Sequence, residues 1–407
     1  MKNLLRKFFC APVLLCSCAP VVRRLTLLSA FQFLAFFAFF ASFAFCAGGP
    51  GTTSANFLKI GQGPRAIGMG EAFTAVSDDV FATYWNPSGI LSLEHPEATF
   101  SHVKLFDDTK LHHLAFAKAY RCEIGGDDEC INPDKSKIAW GLQLSMLSMD
   151  TFPGYDNNGA KVDDVEMSDT LLGFTFAKQF GRFGLGANAK YIEEKLHVVK
   201  AQTFAMDIGA QTHYDTSFGK LGIGYTSQNL LGKMKFDRYE FPLAQMHRFG
   251  LSLKQSFYGD PVTIATDFIM SNDVDPNFAF GLEYWLAQII AFRFGFKGNQ
   301  DIGEGIRMGV GAKFKVVQMD YAYAGFGDLG LIHRISLTFR FGVPLQITPI
   351  REVHVYFKRA MRYMDEERYY DAMLELDEIL KVDPGNKKAL KLMEEAVEKI
   401  ETQEKKR

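Results

Sequence analysis

The stretch Ile290-Ala291-Phe292-Arg293-Phe294-Gly295-Phe296-Lys297 decides the fold. Large apolar side chains hold every second position, and Ala, Arg, Gly and Lys fill those between. An extended chain points successive side chains to opposite faces, so the phenylalanines share one face and Arg293 and Lys297 share the other. The same alternation recurs outward from this point. In 304–314, Ile306, Met308, Val310 and Ala312 alternate with Arg307, Gly309, Gly311 and Lys313. In 331–341, Leu331, Ile335, Leu337, Phe339 and Phe341 alternate with Arg334, Ser336, Thr338 and Arg340. In 169–180, Leu172, Phe174 and Phe176 alternate with Gly173, Thr175 and Ala177. Two architectures share this pattern. A soluble sandwich turns the phenylalanine face inward, whereas a membrane barrel turns it to lipid and keeps the Arg, Lys and Glu283 face for a lumen. Periodicity does not separate them; strand number and export signals do.

Candidate strands fall at 97–106, 111–120, 137–147, 168–180, 183–195, 201–212, 218–228, 246–257, 261–270, 277–287, 289–299, 304–314, 316–324 and 330–341. The count is about 14, and even, as single-chain bacterial barrels require. With both ends of the barrel segment periplasmic, the periplasmic turns fall at Gly181-Arg182, 213–217, 258–260, Gln288 and Lys315, all short. The opposite side takes longer loops at 148–167 and 229–245, which is the asymmetry expected of such barrels. The segment 121–136 is an exception, a long loop on the periplasmic side.

Composition agrees. The 407 residues include 38 Phe and 36 Gly, in proportions unusual for a soluble core of this size. With 45 basic and 47 acidic residues, charge gives no argument for a nucleic-acid partner. At the N-terminus, Lys2, Arg6, Lys7, Arg23 and Arg24 precede an uncharged run over 25–46, with small Ser42, Ala44 and Ala47 near its end. This is the pattern of a secretory signal, placed at 1–47. The alternative is a retained transmembrane helix, for which the run is long enough. Cys122 and Cys130 close a short acidic loop in an exported chain and are expected to form a disulfide.

Residues 48–96 are Gly-rich without strand alternation. From Pro349 the chain becomes charged and helically periodic. After a linker at 343–352, residues 353–401 place Tyr356, Ala360, Tyr363, Ala372, Leu376, Ile379 and Pro384 at the spacing of one tetratricopeptide repeat, and a helix at 386–401 covers its open face. A plain charged helical hairpin is the other reading. One repeat is below the number that normally stands alone, so it docks on the barrel, pairs with another chain, or is marginal.

Motifs for chemistry are weak. Gly61-Gln62-Gly63-Pro64-Arg65-Ala66 lacks the βαβ setting of a dinucleotide fingerprint and the Lys-Ser/Thr of a phosphate loop. His112 and His113, adjacent on a strand, face opposite ways and cannot share a metal. Asp156-Asn157-Asn158-Gly159 begins like a calcium loop, but the later ligands are missing. No catalytic triad or dyad is suggested by position, and no enzyme, cofactor or metal site is expected.

The most specific stretch is Gly61-Gln62-Gly63-Pro64-Arg65-Ala66-Ile67-Gly68-Met69-Gly70-Glu71-Ala72-Phe73, leading through Ser77-Asp78-Asp79 to Tyr84-Trp85-Asn86-Pro87-Ser88-Gly89-Ile90. It resembles the N-terminal segment of PorV/PorQ-type proteins, within the wider family of FadL-type long-chain fatty acid transporters. The resemblance covers this motif, the strand count and the barrel region, roughly 57–341. It implies an outer-membrane barrel whose N-terminal segment folds into the lumen as a plug. Gly61, Gly63, Pro64, Arg65, Gly68, Met69, Gly70, Asp78, Asp79, Trp85, Asn86 and Pro87 would be its motif residues. Some members of the family carry hydrophobic molecules, and PorV-type members serve type IX protein secretion. Ser88 departs from the Ala more common there, and the C-terminal repeat is no part of a minimal transporter. The expectation is therefore an all-β transmembrane antiparallel barrel over 97–342, plugged by 48–96, with a small C-terminal α-helical hairpin in the periplasm. Its expected partners are outer-membrane lipid, hydrophobic small molecules, and a periplasmic or secreted protein. Asp78 and Asp79 are expected to pair with inward Arg293, Arg307, Arg334 or Arg340, or to remain solvated.

Overall fold

A computed structural model describes residues 49, 51–120, 137–236, 238–298, 303–342, 350–382 and 386–404. The signal segment, Cys122, Cys130 and Pro384 lie outside the described residues. The alternating segments form strands β1 (Glu97–Lys104), β2 (Lys110–Tyr120), β3 (Ile138–Tyr155), β4 (Lys161–Phe180), β5 (Phe183–Leu196), β6 (Val199–Thr216) and β7 (Gly219–Leu230). They continue with a small hairpin of β8 (Lys233–Phe236) and β9 (Tyr239–Pro242). The rest are β10 (Met246–Phe257), β11 (Asp260–Ser271), β12 (Asn277–Leu286), β13 (Ile290–Lys297), β14 (Ile306–Phe314), β15 (Val317–Gly325) and β16 (Leu331–Arg340).

All of these except β8 and β9 close into one antiparallel barrel of fourteen strands, β1 pairing with β16 from Glu97–Arg340 to Lys104–His333. Every expected strand is present, and all but β3 and β4, which run seven or eight residues further toward each other, lie within a few residues of their expected ends. The alternation sorts as the barrel reading requires: Phe292, Phe294, Phe296, Leu172, Phe174 and Phe176 are exposed on the outer wall, while Arg293, Arg307, Arg334 and Glu283 are buried inside. The phenylalanines are not sealed between two sheets. A closed wall leaves no free edge, and an outer face of this apolarity suits hydrocarbon rather than water.

One end of the barrel, called here the near end, holds the start of β1, the end of β16 and the tight turns 181–182, 217–218, 258–259, 287–289 and 315–316. The far end holds 105–109, 156–160, 197–198, 231–245, 272–276 and 326–330. Two expected far-end loops are largely sheet. The segment 148–167 is drawn into β3 and β4, which stay paired from Ile138–Lys178 to Tyr155–Lys161, with register shifts after Met149. Their backbone groups find cross-strand partners, so only 156–160 remains as a turn. There Asp156 Oδ1 accepts from the Asn158 and Ala160 amides, an ordinary turn in place of a calcium loop. The segment 229–245 contains the β8–β9 hairpin.

The helical region comprises α3 (Ile350–Asp365), α4 (Tyr369–Val382) and α5 (Lys387–Glu404), numbered after two short lumen helices given below. Its three helices match the helix pair of the expected repeat and the covering helix at 386–401, and the first begins inside the expected linker. Ala360, Leu376, Ile379 and Ala389 form one buried cluster, and Met364, Tyr369, Ala372 and Ala396 a second. Alanines at the crossings let the helix backbones approach, and α5 supplies apolar cover that two helices alone would lack.

Candidate functional site: the lumen plug and the far-end apolar cluster

The chain from Thr53 starts at the far end and then descends through the lumen to β1 at the near end. It forms a 3-10 turn (Asn56–Lys59), α1 (Pro64–Gly68), α2 (Ala82–Trp85) and a second 3-10 turn (Pro87–Ser92). Pro64 opens α1 at the position where a missing amide proton costs nothing. Gly63 (φ 79°) and Gly70 (φ 65°) take backbone conformations that an L side chain resists. Trp85 is fully buried, and its indole donates to the Gln62 carbonyl at 2.8 Å. Asn86 donates to the Thr74 carbonyl at 2.8 Å and to the Ala210 carbonyl of β6 at 3.2 Å. Its Oδ1 accepts from the Ser88 amide (3.3 Å) and hydroxyl (2.8 Å), so the Ser88 departure adds a capping bond at the start of the Pro87 turn.

The plug backbone lies directly on wall glycines. A Cβ on Gly281 would sit 2.5 Å from the Met69 carbonyl, one on Gly250 2.7 Å from the Ala75 amide, and one on Gly295 2.6 Å from Gly70 Cα. Gly68 lies against Gly309 in the same way, with a Cβ there 3.1 Å from Gly309 Cα. The glycines that alternate with outward phenylalanines are thus seats for the plug.

A buried ion lattice holds it. Arg65 contacts Asp78 (2.5 Å), Asp79 (2.9 Å) and Glu283 (2.8 Å). Glu283 also takes Arg293 at 2.7 Å, and Arg293 reaches Asp320 at 2.7 Å. Glu71 meets Arg307 (2.5 Å), Lys297 (2.8 Å) and Arg248 (3.4 Å). The expected pairing of Asp78 and Asp79 with wall arginines is therefore corrected. Arg65, on the plug itself, takes both; Arg293 and Arg307 serve other carboxylates, Arg340 serves Glu97 and Gln318, and Arg334 donates to the Gly61 carbonyl at 2.6 Å. Glu71, rather than Asp78 or Asp79, gathers three wall cations, and the sequence pattern does not single it out. Asp267 was missed too. It accepts from the Phe73 amide (3.2 Å), the Thr74 amide (3.0 Å) and the Thr74 hydroxyl (2.6 Å). The only available signal was a lone acid at an inward position of the strand at 261–270.

Above the lattice the lumen changes character. Inward Ile332, Val103, Leu111, Leu147, Leu171 and Ile192, from strands β16 and β1 to β5, form one buried apolar cluster at the far end. Phe57 and Leu58 from the N-terminal turn cover it, with Met234 and Leu243 from the hairpin region. The cover is tied at two points. Ser54 bridges to Leu243 in a short parallel pairing, and Asp273, in the loop after β11, accepts from Thr53 (2.6 Å), Lys59 (2.7 Å) and Ser271 (2.6 Å).

Burial alone would raise the Asp273 carboxyl; the donors Lys59, Ser271 and Thr53 outweigh it and hold it below the usual carboxylate value. A lowered carboxylate pKa makes the latch fully effective above about pH 3.9, and weaker as pH falls through the folded value. Limited proteolysis of 52–59 is expected to stay slow from neutral pH to about pH 5 and to accelerate below about pH 3.9. Asp273→Asn should be cleaved rapidly throughout; equal cleavage of both proteins at neutral pH would remove the latch.

His113 faces inward and hydrogen-bonds Ser145 at 2.8 Å, while His112 lies on the outer wall beside His102, so the two rings do face opposite ways. Among the described residues no three His, Cys, Asp or Glu side chains are placed to hold a metal.

No family model matches the chain, and no curated protein matches it. Solved structures similar to it include the CymD monoaromatic hydrocarbon channel, at 12% identity over 70% of this chain and 98% of that one, with a TM-score of 0.43. The TodX monoaromatic hydrocarbon channel, as a deltaS2 mutant, gives 12%, 69%, 99% and 0.42. A Pseudomonas aeruginosa FadL homologue gives 12%, 69%, 98% and 0.37. At these values the likeness carries nothing beyond the barrel architecture already evident in the strand pairing.

Proposed function

We propose that this chain passes hydrophobic small molecules across the outer membrane as a FadL-like barrel, its far end facing outward and its near end and helical unit in the periplasm. One observation carries the reading. Membrane barrels of this kind keep a polar interior, yet the inner wall here turns apolar from β16 round to β5 at the far end. Read as a covered chamber above a polar plug, that apolar cluster suits a ligand that leaves water at one face and is handed on at the other. The cover opens by release of Asp273 and the Ser54 bridge. Passage beyond it requires the plug to shift, because all fourteen strands are hydrogen-bonded to both neighbours.

The test uses the full chain purified in detergent, incubated with the hydrocarbon diphenylhexatriene and released into a mass spectrometer under native conditions. One bound molecule per chain is expected, and Leu171→Trp, which fills the chamber, should abolish it. Failure of the unmodified chain to retain hydrocarbon would end the transport reading.

A second reading is favoured by the closed wall, the ion-locked plug and the three-helix unit with tetratricopeptide spacing at Tyr356, Ala360, Tyr363, Ala372 and Leu376. In it the barrel is a PorV-like scaffold of a secretion system, holding a periplasmic or secreted protein. Deleting 350–407 separates the two: a transporter keeps its bound hydrocarbon and its uptake, whereas a scaffold loses secretion.

A further inference from the structure

A carboxyl in the wall of the far-end apolar cluster has no hydrogen-bond or ion-pair partner among the described residues. Asp169 points inward from β4, paired in register with Leu147 of β3 and Glu194 of β5. Its inward neighbours on the same strand, Met167 and Leu171, both belong to the apolar cluster, as does Leu147. Asp169 is only 3% exposed, and among the described residues no donor or cation contacts it. Glu194, next to it, lies beside the Ala55 backbone of the cover. Two lysines of the lumen are committed elsewhere. Lys190 binds Asp207 at 2.7 Å and Asn229 at 2.9 Å, and Lys59 binds Asp273 at 2.7 Å. Burying an unpaired carboxyl among apolar side chains is costly unless a donor arrives, and an ionised carboxyl only accepts hydrogen bonds.

We infer that Asp169 and Glu194 are the polar anchor of the chamber, and that they select hydrophobic molecules with a hydrogen-bond-donating head, above all a long-chain amine. This rests on the chamber reading and deepens it. The chain lies in the apolar cluster, and its head donates to Asp169 and, where it reaches, to Glu194. A carboxylate cargo would instead bring another acidic group to the pair, so the pair selects against fatty acids. One buried cation favours the opposite outcome. Among the described residues Arg334 on β16 has no carboxylate ion pair, donates to the Gly61 carbonyl and leaves its Nε unbonded. It belongs in the test.

Full-length protein in detergent is incubated with dodecylamine, dodecan-1-ol and dodecanoate at neutral pH, each competing against bound diphenylhexatriene in the same mass-spectrometric measurement. Dodecylamine should displace the hydrocarbon at concentrations about tenfold or more below those needed for dodecanoate, with dodecan-1-ol between them. The isosteric Asp169→Asn should still bind the hydrocarbon but bring amine and carboxylate within about threefold, and Glu194→Gln should narrow the gap less. Equal displacement by amine and carboxylate in the unmodified chain would overturn the anchor while leaving the chamber standing. So would preferential dodecanoate binding that Arg334→Gln abolishes. A chain that binds no hydrocarbon removes the chamber and the anchor together.

Discussion

Glu71→Gln is expected to loosen the plug by about 3–5 kcal/mol, the usual cost of removing one partner from a buried ion cluster. The substitution keeps the shape of the side chain but leaves Arg248, Lys297 and Arg307 facing one another without their shared carboxylate. Attraction becomes repulsion at a site with almost no solvent to screen it. The barrel ladder does not depend on Glu71, so the wall should persist while the plug detaches. Two readouts follow. In planar bilayers the unmodified chain should remain closed, and the variant should show frequent open events. Protease added from either side should cut within 61–93 only in the variant. Bilayer traces and protease resistance matching the unmodified chain would mean that the glycine seats, rather than the ion lattice, hold the plug.

The seats make the second large effect. Gly295→Val places a branched side chain where the wall touches the Gly70 amide and lies 2.6 Å from Gly70 Cα. Valine is well suited to a strand, so the pairing of Gly295 with Gly281 and Arg307 should survive. The plug backbone has to move instead. Overpacking of this kind costs about 1–3 kcal/mol even where neighbours can adjust. Here the neighbour is backbone already fixed by the positive φ of Gly70, and the upper end of that range is expected. Gly325→Val is the matched control, because the nearest atom to a Cβ there is the end of the Leu331 side chain at 3.8 Å. Urea denaturation should show a lowered midpoint for the first variant and little change for the second. If both behave alike, the close approach of plug and wall has no energetic weight.

How far the sequence reached differs by element. The fourteen wall strands and their inward and outward faces were legible because a strand's side-chain period is two, and lipid on one face makes that period visible residue by residue. The short near-end turns were legible for a related reason, since a break of a few residues between two alternating runs leaves little other choice. The Gly-rich stretch around Gly61–Gly70 could be recognised as the plug, but not how it sits. Glycines seat the plug only because another backbone arrives opposite them, and that is a property of two distant segments. The loop expected at 148–167 became strand because long-range pairing satisfied its backbone, which local polarity does not report. The partner of Asp78 and Asp79, the role of Glu71 and the unpaired state of Asp169 all depend on which charges face one another across the lumen. Alternation gives each side chain a face. Only closure of the barrel gives it a neighbour, and with buried charge the neighbour sets the energy.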